Sequence, residues 1–244
     1  MNPSSHSWSR WTTAAFLACG WITAAGAEPG FVSMFDGRTL RGWNAAEMRH
    51  WSVKDGAITA SSDGPVADHS YLVWQDAQPA DFELKLKFRI TGDAGANSGV
   101  QIRSQVRPDG FVTGYQADIA RYEKHCAIFY DETPRRGMLA DRGERVVIDE
   151  EGKRTVKRFA DAGELWRRIK IDDWNDYHII ARGQTVSARV NGHLMWEVTD
   201  RETTRNGAAP GVIALQIHKG PPMTVMFKDV FLKVLKGHEQ QSTP

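Results

Sequence analysis

Residues 185–198 read Thr-Val-Ser-Ala-Arg-Val-Asn-Gly-His-Leu-Met-Trp-Glu-Val. This stretch predicts a β-hairpin: two short strands, 185–190 and 193–198, on either side of an Asn191-Gly192 turn. Asn and Gly tolerate the positive φ angles that a tight hairpin turn requires. Short runs of alternating polarity between turn signals recur along the chain, whereas long helical periodicity is scarce. The sequence therefore predicts an all-β protein.

Further strands are predicted at 30–35, 51–53, 57–60, 70–74, 82–90, 98–103, 115–119, 127–130, 177–181, 212–217 and 224–235. About a dozen short strands, with no long linker and no internal repeat, predict one β-sandwich over residues 28–244. The segment 133–170 is charged and alternates in sign, so a solvated loop is the default expectation there. A hairpin excursion or a mobile lid is the alternative.

The composition excludes several classes of protein. The chain has 244 residues, is 41% hydrophobic and carries a formal net charge of +1. A disordered chain would be poorer in aliphatic residues and more strongly charged. A nucleic-acid partner is also disfavoured, because it requires a clustered cationic surface.

The first 27 residues have the pattern of a secretory signal peptide. Arg10 is the only charged residue there; an apolar run over 14–25 follows, and the stretch ends in Ala25-Gly26-Ala27. The run is too short for a membrane span of ~20 residues. We therefore expect export to the periplasm or the exterior and no membrane span. Lipid modification of Cys19 is the alternative, and cleavage after Ala27 leaves Cys126 as the sole cysteine.

Three predicted strands each place two polar side chains on one face: Gln101 with Arg103, Gln116 with Asp118, and Gln216 with His218. Successive side chains on a strand point to opposite faces, and the intervening positions on these strands are apolar. If the strands share a sheet, the six side chains line one surface. Such directional hydrogen-bonding groups suit sugar hydroxyls. Ordinary polar exposure of a half-solvated sheet is the simpler alternative.

Asp131 and Glu132 follow Tyr130 at the end of a predicted strand. Adjacent strand residues cannot share a face, so only one of these carboxylates is expected to approach Asp118. Repulsion between two close carboxylates would raise one pKa and would suit proton transfer near neutral pH. A strand-end turn is the alternative interpretation.

The acidic run 172–176 is a candidate site for a divalent cation, although it lacks the Gly and the terminal Glu of a calcium loop. Trp174 within this run is the best candidate for an exposed ring that stacks on a sugar. The histidine spacing disfavours a zinc site. Neither a serine-esterase elbow nor a phosphate-binding loop is present in the sequence.

Six ordered motifs carry a resemblance to a known family. They are Phe35-Asp36-Gly37-Arg38-Thr39-Leu40-Arg41-Gly42-Trp43, Trp51-Ser52-Val53-Lys54-Asp55-Gly56, Asn97-Ser98-Gly99-Val100-Gln101-Ile102-Arg103, Gly114-Tyr115-Gln116-Ala117-Asp118-Ile119, Tyr130-Asp131-Glu132, and Gly211-Val212-Ile213-Ala214-Leu215-Gln216-Ile217-His218 with Phe227-Lys228-Asp229-Val230. Together they resemble the 3-keto-disaccharide hydrolase domain family. The resemblance implies a concanavalin A-like jelly roll of two antiparallel sheets. Many members have Glu at the position of Gln116, so a carboxylate role does not carry over there.

The resemblance also implies cleavage of glycosides whose sugar is oxidised to a ketone at carbon 3, by elimination across carbons 1 and 2. Such substrates require an upstream sugar 3-dehydrogenase. We expect His218 to act as base or acid, Arg103 and Lys219 to stabilise the enolate oxygen, and Asp118 with Asp131 or Glu132 to assist proton transfer. The predicted sugar-binding residues are Gln101, Gln116, Gln216, Tyr130 and Trp174. A non-catalytic carbohydrate-binding module is the competing function.

Overall fold

The structure, a computed structural model, describes residues 28–134 and 136–236 as a sandwich of two β-sheets. The larger sheet has ten strands: β1 (Val32–Ser33), β3 (Trp51–Lys54), β4 (Ala57–Ser62), β6 (Phe82–Gly92), β11 (Glu144–Ile148), β12 (Arg154–Arg158), β13 (Asn175–Arg182), β14 (Thr185–Val190), β15 (His193–Asp200) and β17 (Met223–Val234). The smaller sheet has seven: β2 (Trp43–Asn44), β5 (Ser70–Trp74), β7 (Asn97–Val106), β8 (Val112–Ala120), β9 (Phe129–Asp131), β10 (Gly137–Ala140) and β16 (Val212–Ile217).

Helical structure in the described residues is limited to short segments. One α-helix, α1, covers Ala162–Trp166, and two three-residue 3-10 turns cover Met48–His50 and Glu123–His125. The predicted all-β sandwich is therefore confirmed. In the part of the chain that the structure describes, no helix is long and apolar enough to cross a membrane.

The order of strands in the seven-stranded sheet is β10-β9-β8-β7-β16-β5-β2. The three strands with polar pairs, β8, β7 and β16, are thus direct neighbours, as expected. In the larger sheet the order is β12-β11-β15-β14-β13-β6-β17-β4-β3, with β1 also paired to β17. Every strand pair is antiparallel except β11 with β15, which is parallel.

The core lies between the inner faces of the two sheets, because alternate residues of each strand are apolar. Leu84 and Phe88 of β6 face inward, as do Val100 and Leu215 of the smaller sheet, and all four are buried. Each fully buried aliphatic side chain contributes about 1.5–3 kcal/mol to folding by leaving water. This alternation on the inner face leaves the other face of each strand free to carry polar side chains.

The predicted Asn191-Gly192 turn is confirmed by backbone geometry, and a second turn with positive φ angles lies at Asp55-Gly56. Asn191 and Gly192 have φ angles of 50° and 82°, and Asp55 and Gly56 have φ angles of 52° and 71°. Both pairs join antiparallel neighbours, β14 with β15 and β3 with β4.

The default expectation of a loop for 133–170 is wrong, and the hairpin alternative is correct. The β11–β12 hairpin adds two strands to the edge of the larger sheet. Its inward residues Val146 and Ile148 are buried, whereas β12 is exposed along its whole length. The many charges belong to that solvated edge, and they obscure the two apolar positions that decide the strand. The predicted signal peptide and Cys19 lie outside the described residues.

Candidate active site

The side of the seven-stranded sheet that faces away from the core carries a buried polar surface, which we call the polar face. Its central members are Gln101, Gln116, Asp118 and Gln216, each at most 5% exposed. The strand registers place Gln101 directly opposite Gln116, and Gly99 between Gln216 and Asp118. The alternation of polar and apolar residues in the sequence predicts that these side chains share one surface. The register of three adjacent strands brings them together.

A directed chain of hydrogen bonds runs across the polar face. Ser104 Oγ donates to Gln101 Oε1 over 2.9 Å, and Gln101 Nε2 donates to Gln116 Oε1 over 2.6 Å. Gln116 Nε2 in turn donates to Asp118 Oδ1. Because each amide uses its oxygen as acceptor and its nitrogen as donor, the chain orients both glutamines and ends at one oxygen of Asp118.

Gly99 makes this chain sterically feasible. A Cβ atom at position 99 would lie 2.6 Å from both Cδ and Cγ of Gln116. Real carbon atoms do not approach this closely without displacement, so the Gln116 side chain occupies the space that a larger residue at 99 would fill. The glycine on β7 therefore positions the amide that contacts Asp118.

Two carboxyl groups on this side of the sheet have unusual acidity. Burial raises the pKa of Asp118 well above its ordinary value of 3.8, and the negative charge of Glu132 raises it further. Burial also raises the pKa of Glu132 from 4.5, assisted by the charge of Asp131. Gln116 is the only side chain that hydrogen-bonds the Asp118 carboxyl among residues 28–134 and 136–236. Both groups therefore favour the protonated form more than an ordinary carboxyl does.

Glu132, rather than Asp131, shares the face of Asp118. Its backbone N–H donates to Gly114 O over 2.8 Å, which extends the pairing of β9 with β8 by one residue. Side chains alternate along β9, so Tyr130 and Glu132 point to one side and Phe129 and Asp131 to the other. Tyr130 is half-buried opposite Gln116.

An aromatic cluster adjoins the polar face at the end of β16 and β5. The rings of His218 and His69 are 4.3 Å apart and almost perpendicular, and His69 also contacts Tyr71 and Phe111. Tyr71 accepts a hydrogen bond from Gln216 Nε2 over 3.2 Å, which joins this cluster to the polar face. Lys219 is exposed beside His218.

Both histidines have lowered pKa values. Burial lowers the pKa of His218 below 6.5. Burial and the charges of His218 and Lys219 lower the pKa of His69 to about 4. His69, Tyr71 and Phe111 were not singled out from the sequence. The alternation of His69, Tyr71 and Val73 with buried Ser70 and Leu72 is the signal that places them on this face.

Arg103 does not lie on the polar face, which corrects the prediction. A β-bulge between Ile102 and Gln105 gives Arg103 a φ angle of 46° and turns its side chain away from Gln101. Its guanidinium donates to the backbone oxygens of Ala80, Gly183 and Gly207 and to Asp81 Oδ1, over 2.6–3.0 Å. With these donors occupied in the interior, Arg103 joins the two sheets and is not placed to contact an enolate.

Asp131 is also separated from the polar face. Its Oδ2 accepts a hydrogen bond from Arg205 Nε over 3.0 Å and forms an ion pair with Arg136 Nε at 3.0 Å, and its side chain is fully buried. Arg136 also contacts Asp200 and Glu202. Of the two carboxylates, one of which was expected to approach Asp118, Asp131 is the one that does not, because the strand turns it toward this cluster of ion pairs.

Trp174, predicted to be an exposed ring that stacks on a sugar, lies just before β13 and packs against side chains of the other sheet. Its ring lies 4.2 Å from Lys228 Nζ and 5.1 Å from the Arg89 guanidinium. Lys228 and Arg89 project from the outer side of the ten-stranded sheet. Two cations already flank the ring, so Trp174 cannot stack on a sugar bound at the polar face.

The acidic run around Trp174 does not assemble into a site for a cation. Across the described ranges, no group of three or more His, Cys, Asp or Glu residues is arranged to hold a metal ion. Asp172 instead pairs with Arg121, and Asp176 pairs with Lys87. These acidic side chains are thus engaged by basic partners on the surface.

Comparison with known proteins identifies the family. The profile of the 3-keto-alpha-glucoside-1,2-lyase-like domain matches residues 30–233. The chain belongs to this family. Membership makes it a carbohydrate-active, glycosyl hydrolase-like domain, as the motif resemblance indicated. No curated protein sequence matches the chain.

Solved structures show the same fold at low sequence identity. A candidate glycosyl hydrolase from Parabacteroides distasonis aligns with a TM-score of 0.55 and 17% identity, covering 85% of this chain and 94% of its own. A second candidate glycosyl hydrolase from the same organism aligns with a TM-score of 0.54 and 20% identity, covering 84% of this chain and 99% of its own. Carbohydrate-binding module CBM66 from Bacillus subtilis aligns with a TM-score of 0.52 and 15% identity, covering 79% of this chain and 95% of its own. These similarities show the jelly-roll architecture.

Proposed function

We propose that this protein cleaves the glycosidic bond of 3-keto-glycosides by base-catalysed elimination across carbons 1 and 2. The observation that supports this function is the opposite displacement of pKa values at one surface. Burial favours a neutral imidazole at His218 and a protonated carboxyl at Asp118. Groups whose environments push their pKa values apart are suited to act as base and acid in one reaction. The name of the family, a 1,2-lyase of 3-keto-glucosides, is consistent with this chemistry.

The reaction follows from the acidity of the sugar. A ketone at carbon 3 acidifies the hydrogen on carbon 2. When a base removes that proton, the electron pair forms a C2=C3 double bond and the ketone oxygen becomes an enolate. The ketone then re-forms, a C1=C2 double bond forms, and the C1–O bond breaks. The leaving oxygen takes a proton from an acid, and water can later add across C1=C2. This route needs one base and one acid, and it does not use the nucleophile of a retaining glycosidase.

His218 is the proposed base. Its Nδ1 contacts the carbonyl oxygen of Lys219, which can only accept a hydrogen bond. The proton of the neutral ring must therefore reside on Nδ1, and Nε2 keeps a lone pair. Because burial lowers the pKa of His218, this neutral form dominates at neutral pH.

Asp118 and Glu132 are the proposed proton donors for the leaving oxygen. Asp118 lies four positions along β8 from Gly114, the neighbour of Glu132, so the two positions are roughly 13 Å apart along the strand. The two carboxyls therefore lie at separate points of this side of the sheet. A raised pKa keeps each group protonated to a higher pH than an ordinary carboxyl.

The remaining polar groups are proposed to bind the sugar. Gln101 and Gln116 offer oriented amides, and Tyr130 borders them. Gln216 Oε1 is buried without a hydrogen-bond partner among the described residues. An unpaired buried acceptor costs about 1–3 kcal/mol, and a sugar hydroxyl would satisfy it. The exposed ammonium of Lys219 would attract the developing enolate.

The substrate must arrive already oxidised, so an enzyme of the sugar 3-dehydrogenase class is proposed to act before this one. We also propose that the first 27 residues direct export, which would place the reaction in the periplasm or outside the cell. N-terminal sequencing of the protein recovered from its host would test the cleavage site after Ala27.

The function is tested by incubating the protein with a 3-keto-disaccharide and, separately, with the same disaccharide unoxidised. Mass spectrometry of the products should show cleavage of the oxidised sugar alone. His218→Gln should reduce kcat/KM by about 10²–10⁴, the contribution of a general base. Persistent binding of the unoxidised sugar with no loss of either compound would instead indicate a carbohydrate-binding module. Undiminished turnover by His218→Gln would exclude His218 as the base.

A further inference from the structure

The backbone of Lys219 contacts both histidines of the aromatic cluster, and it does so through groups of opposite polarity. Its carbonyl oxygen accepts from Nδ1 of His218, whereas its N–H donates to Nδ1 of His69 over a long distance of 3.5 Å. A ring nitrogen that accepts a hydrogen bond carries no proton. The neutral form of His69 must therefore carry its proton on Nε2, the reverse of His218.

A short bridge fixes the geometry of this arrangement. Val66 N donates to Gly220 O over 2.8 Å, and Gly220 N donates to Val66 O over 2.9 Å. Gly220 adopts a φ angle of 143°, which residues other than glycine rarely adopt. The bridge joins the segment that precedes His69 to the segment that follows His218. One residue, Lys219, is thereby held between the two rings.

The environment keeps His69 neutral. Burial lowers its pKa to about 4, and the charges of His218 and Lys219 contribute in the same direction. When His218 takes up a proton, its new positive charge disfavours protonation of His69 still further. His69 therefore remains a neutral N–H donor during the step in which His218 acts as a base.

The two free ring nitrogens complement each other. Neither Nε2 of His69 nor Nε2 of His218 hydrogen-bonds any residue within 28–134 or 136–236. One is a donor and the other an acceptor, on rings whose centroids are 4.3 Å apart. Carbon 2 and the oxygen on carbon 3 of a keto sugar present a matching pair: a proton to be removed and an oxygen that gains charge.

We propose that His69 is a catalytic residue whose Nε2–H donates a hydrogen bond to the carbon 3 oxygen while Nε2 of His218 removes the proton from carbon 2. This assignment rests on the proposed function. In the step, the C2–H bond breaks, its proton moves to His218, and its electron pair forms C2=C3. The negative charge appears on the carbon 3 oxygen, and His69 keeps its proton. The donor is already oriented by Lys219, so the hydrogen bond strengthens as the charge develops.

The first arm of the test measures the tautomers. Nitrogen-15 NMR of uniformly labelled protein at pH 7.5, with His69→Gln and His218→Gln to assign the signals, should show a proton on Nε2 of His69 and on Nδ1 of His218. A proton on Nδ1 of His69, or a doubly protonated His69 ring, would overturn the assignment. This arm needs no substrate, so it is independent of the proposed function.

The second arm measures turnover of a 3-keto-glycoside. His69→Phe retains a ring without a donor and should lower kcat/KM by about 10²–10³, whereas His69→Gln keeps an N–H donor and should stay within about tenfold of the wild type. The matched control is His193→Phe at the exposed start of β15, which should leave turnover unchanged.

The kinetic outcomes distinguish a failure of the role proposed for His69 from a failure of the proposed function. An active wild type with an equally active His69→Phe variant would overturn the role of His69 alone. Equal losses in His69→Phe and His69→Gln, with unchanged melting temperatures, would show that packing rather than hydrogen-bond donation matters. An inert wild-type protein would overturn the proposed function and the role of His69 together.

Discussion

Asp118 and Asp131 carry the same side chain on adjacent strands of one sheet, yet they have opposite environments. Asp131 forms ion pairs with two arginines, Arg136 and Arg205, on the inner side of the sheet. Within the described residues, the Asp118 carboxyl has one hydrogen-bonding side chain, the neutral Gln116 amide, on the outer side. A carboxylate that is buried beside cations forms ion pairs that stabilise the structure. A carboxyl that is buried without a cation favours its proton, which it can then transfer.

The largest expected effect is a loss of unfolding free energy when Asp131, rather than Asp118, is replaced. Asp131→Asn would leave Arg136 and Arg205 facing an amide in a buried cluster, and breaking such a pair costs about 3–5 kcal/mol. Chemical denaturation should show this loss of unfolding free energy. The matched control is Asp176→Asn, whose exposed pair with Lys87 should contribute less than about 1 kcal/mol. Equal effects of the two variants would contradict the structural role assigned to Asp131.

Glu132→Gln tests the neighbouring carboxyl for the opposite role. Gln keeps the size of the side chain and removes its transferable proton, so kcat/KM on a 3-keto-glycoside should fall about 10²-fold. The melting temperature should stay within a few degrees of the wild type, since no basic side chain in the described part of the chain forms an ion pair with Glu132. A large loss of stability with normal turnover of the folded fraction would assign Glu132 to the structural group instead.

Gly99→Ala disturbs the one partner of Asp118 and leaves the partners of Asp131 intact. The added Cβ would displace Gln116, and overpacking of this kind costs about 1–3 kcal/mol. Turnover should fall on the order of tenfold, because the amide that orients Asp118 moves. Gly64→Ala is the matched control, since among the described residues no heavy atom beyond Gly64 and its two chain neighbours lies within 4 Å of its Cβ position. Normal turnover and stability in Gly99→Ala would show that the amide chain does not depend on this glycine.

The smallest effect is a pH-dependent gain in stability from Asp118→Asn. The pKa of Asp118 is raised in the fold, so below pH 3.8 the carboxyl is protonated in both the folded and the unfolded chain. As the pH rises above 3.8, ionisation favours the unfolded chain, and wild-type stability decreases until the folded pKa is reached. The variant should therefore melt roughly 2–4 °C higher at pH 7, about 1 kcal/mol for a domain of this size, and no higher at pH 3. A gain that is equal at both pH values would contradict a protonated Asp118.

Much of the fold was predictable because it depends on local patterns. The alternation in 70–74, 185–190 and 212–217 gives the strand limits that the structure has, and Asn191-Gly192 gives the hairpin. Strand β11 was missed because only Val146 and Ile148 are buried in a segment otherwise full of charges. Two-residue strands such as β2 are too short to show any periodicity.

The candidate site was predicted in part, for the same physical reason. Gln101, Gln116, Asp118 and Gln216 follow regular alternation, so sequence places them correctly. Arg103 follows the same pattern, but a bulge with a positive φ angle turns its side chain to the opposite side of the sheet. No residue type in the motif indicates that bulge. Asp131 and Glu132 could be separated only by knowing which face of β9 meets the arginines. Those arginines come from distant segments of the chain.

The fate of the hydrogen on carbon 2 tests the central claim most directly. A 3-keto-glycoside labelled with deuterium at carbon 2 should be incubated with the protein in ordinary water, beside an enzyme-free control. Proton abstraction by His218 predicts that every cleaved sugar has lost the label to solvent. Cleaved sugar that retains deuterium at carbon 2 would contradict the elimination and the role of the polar face in it.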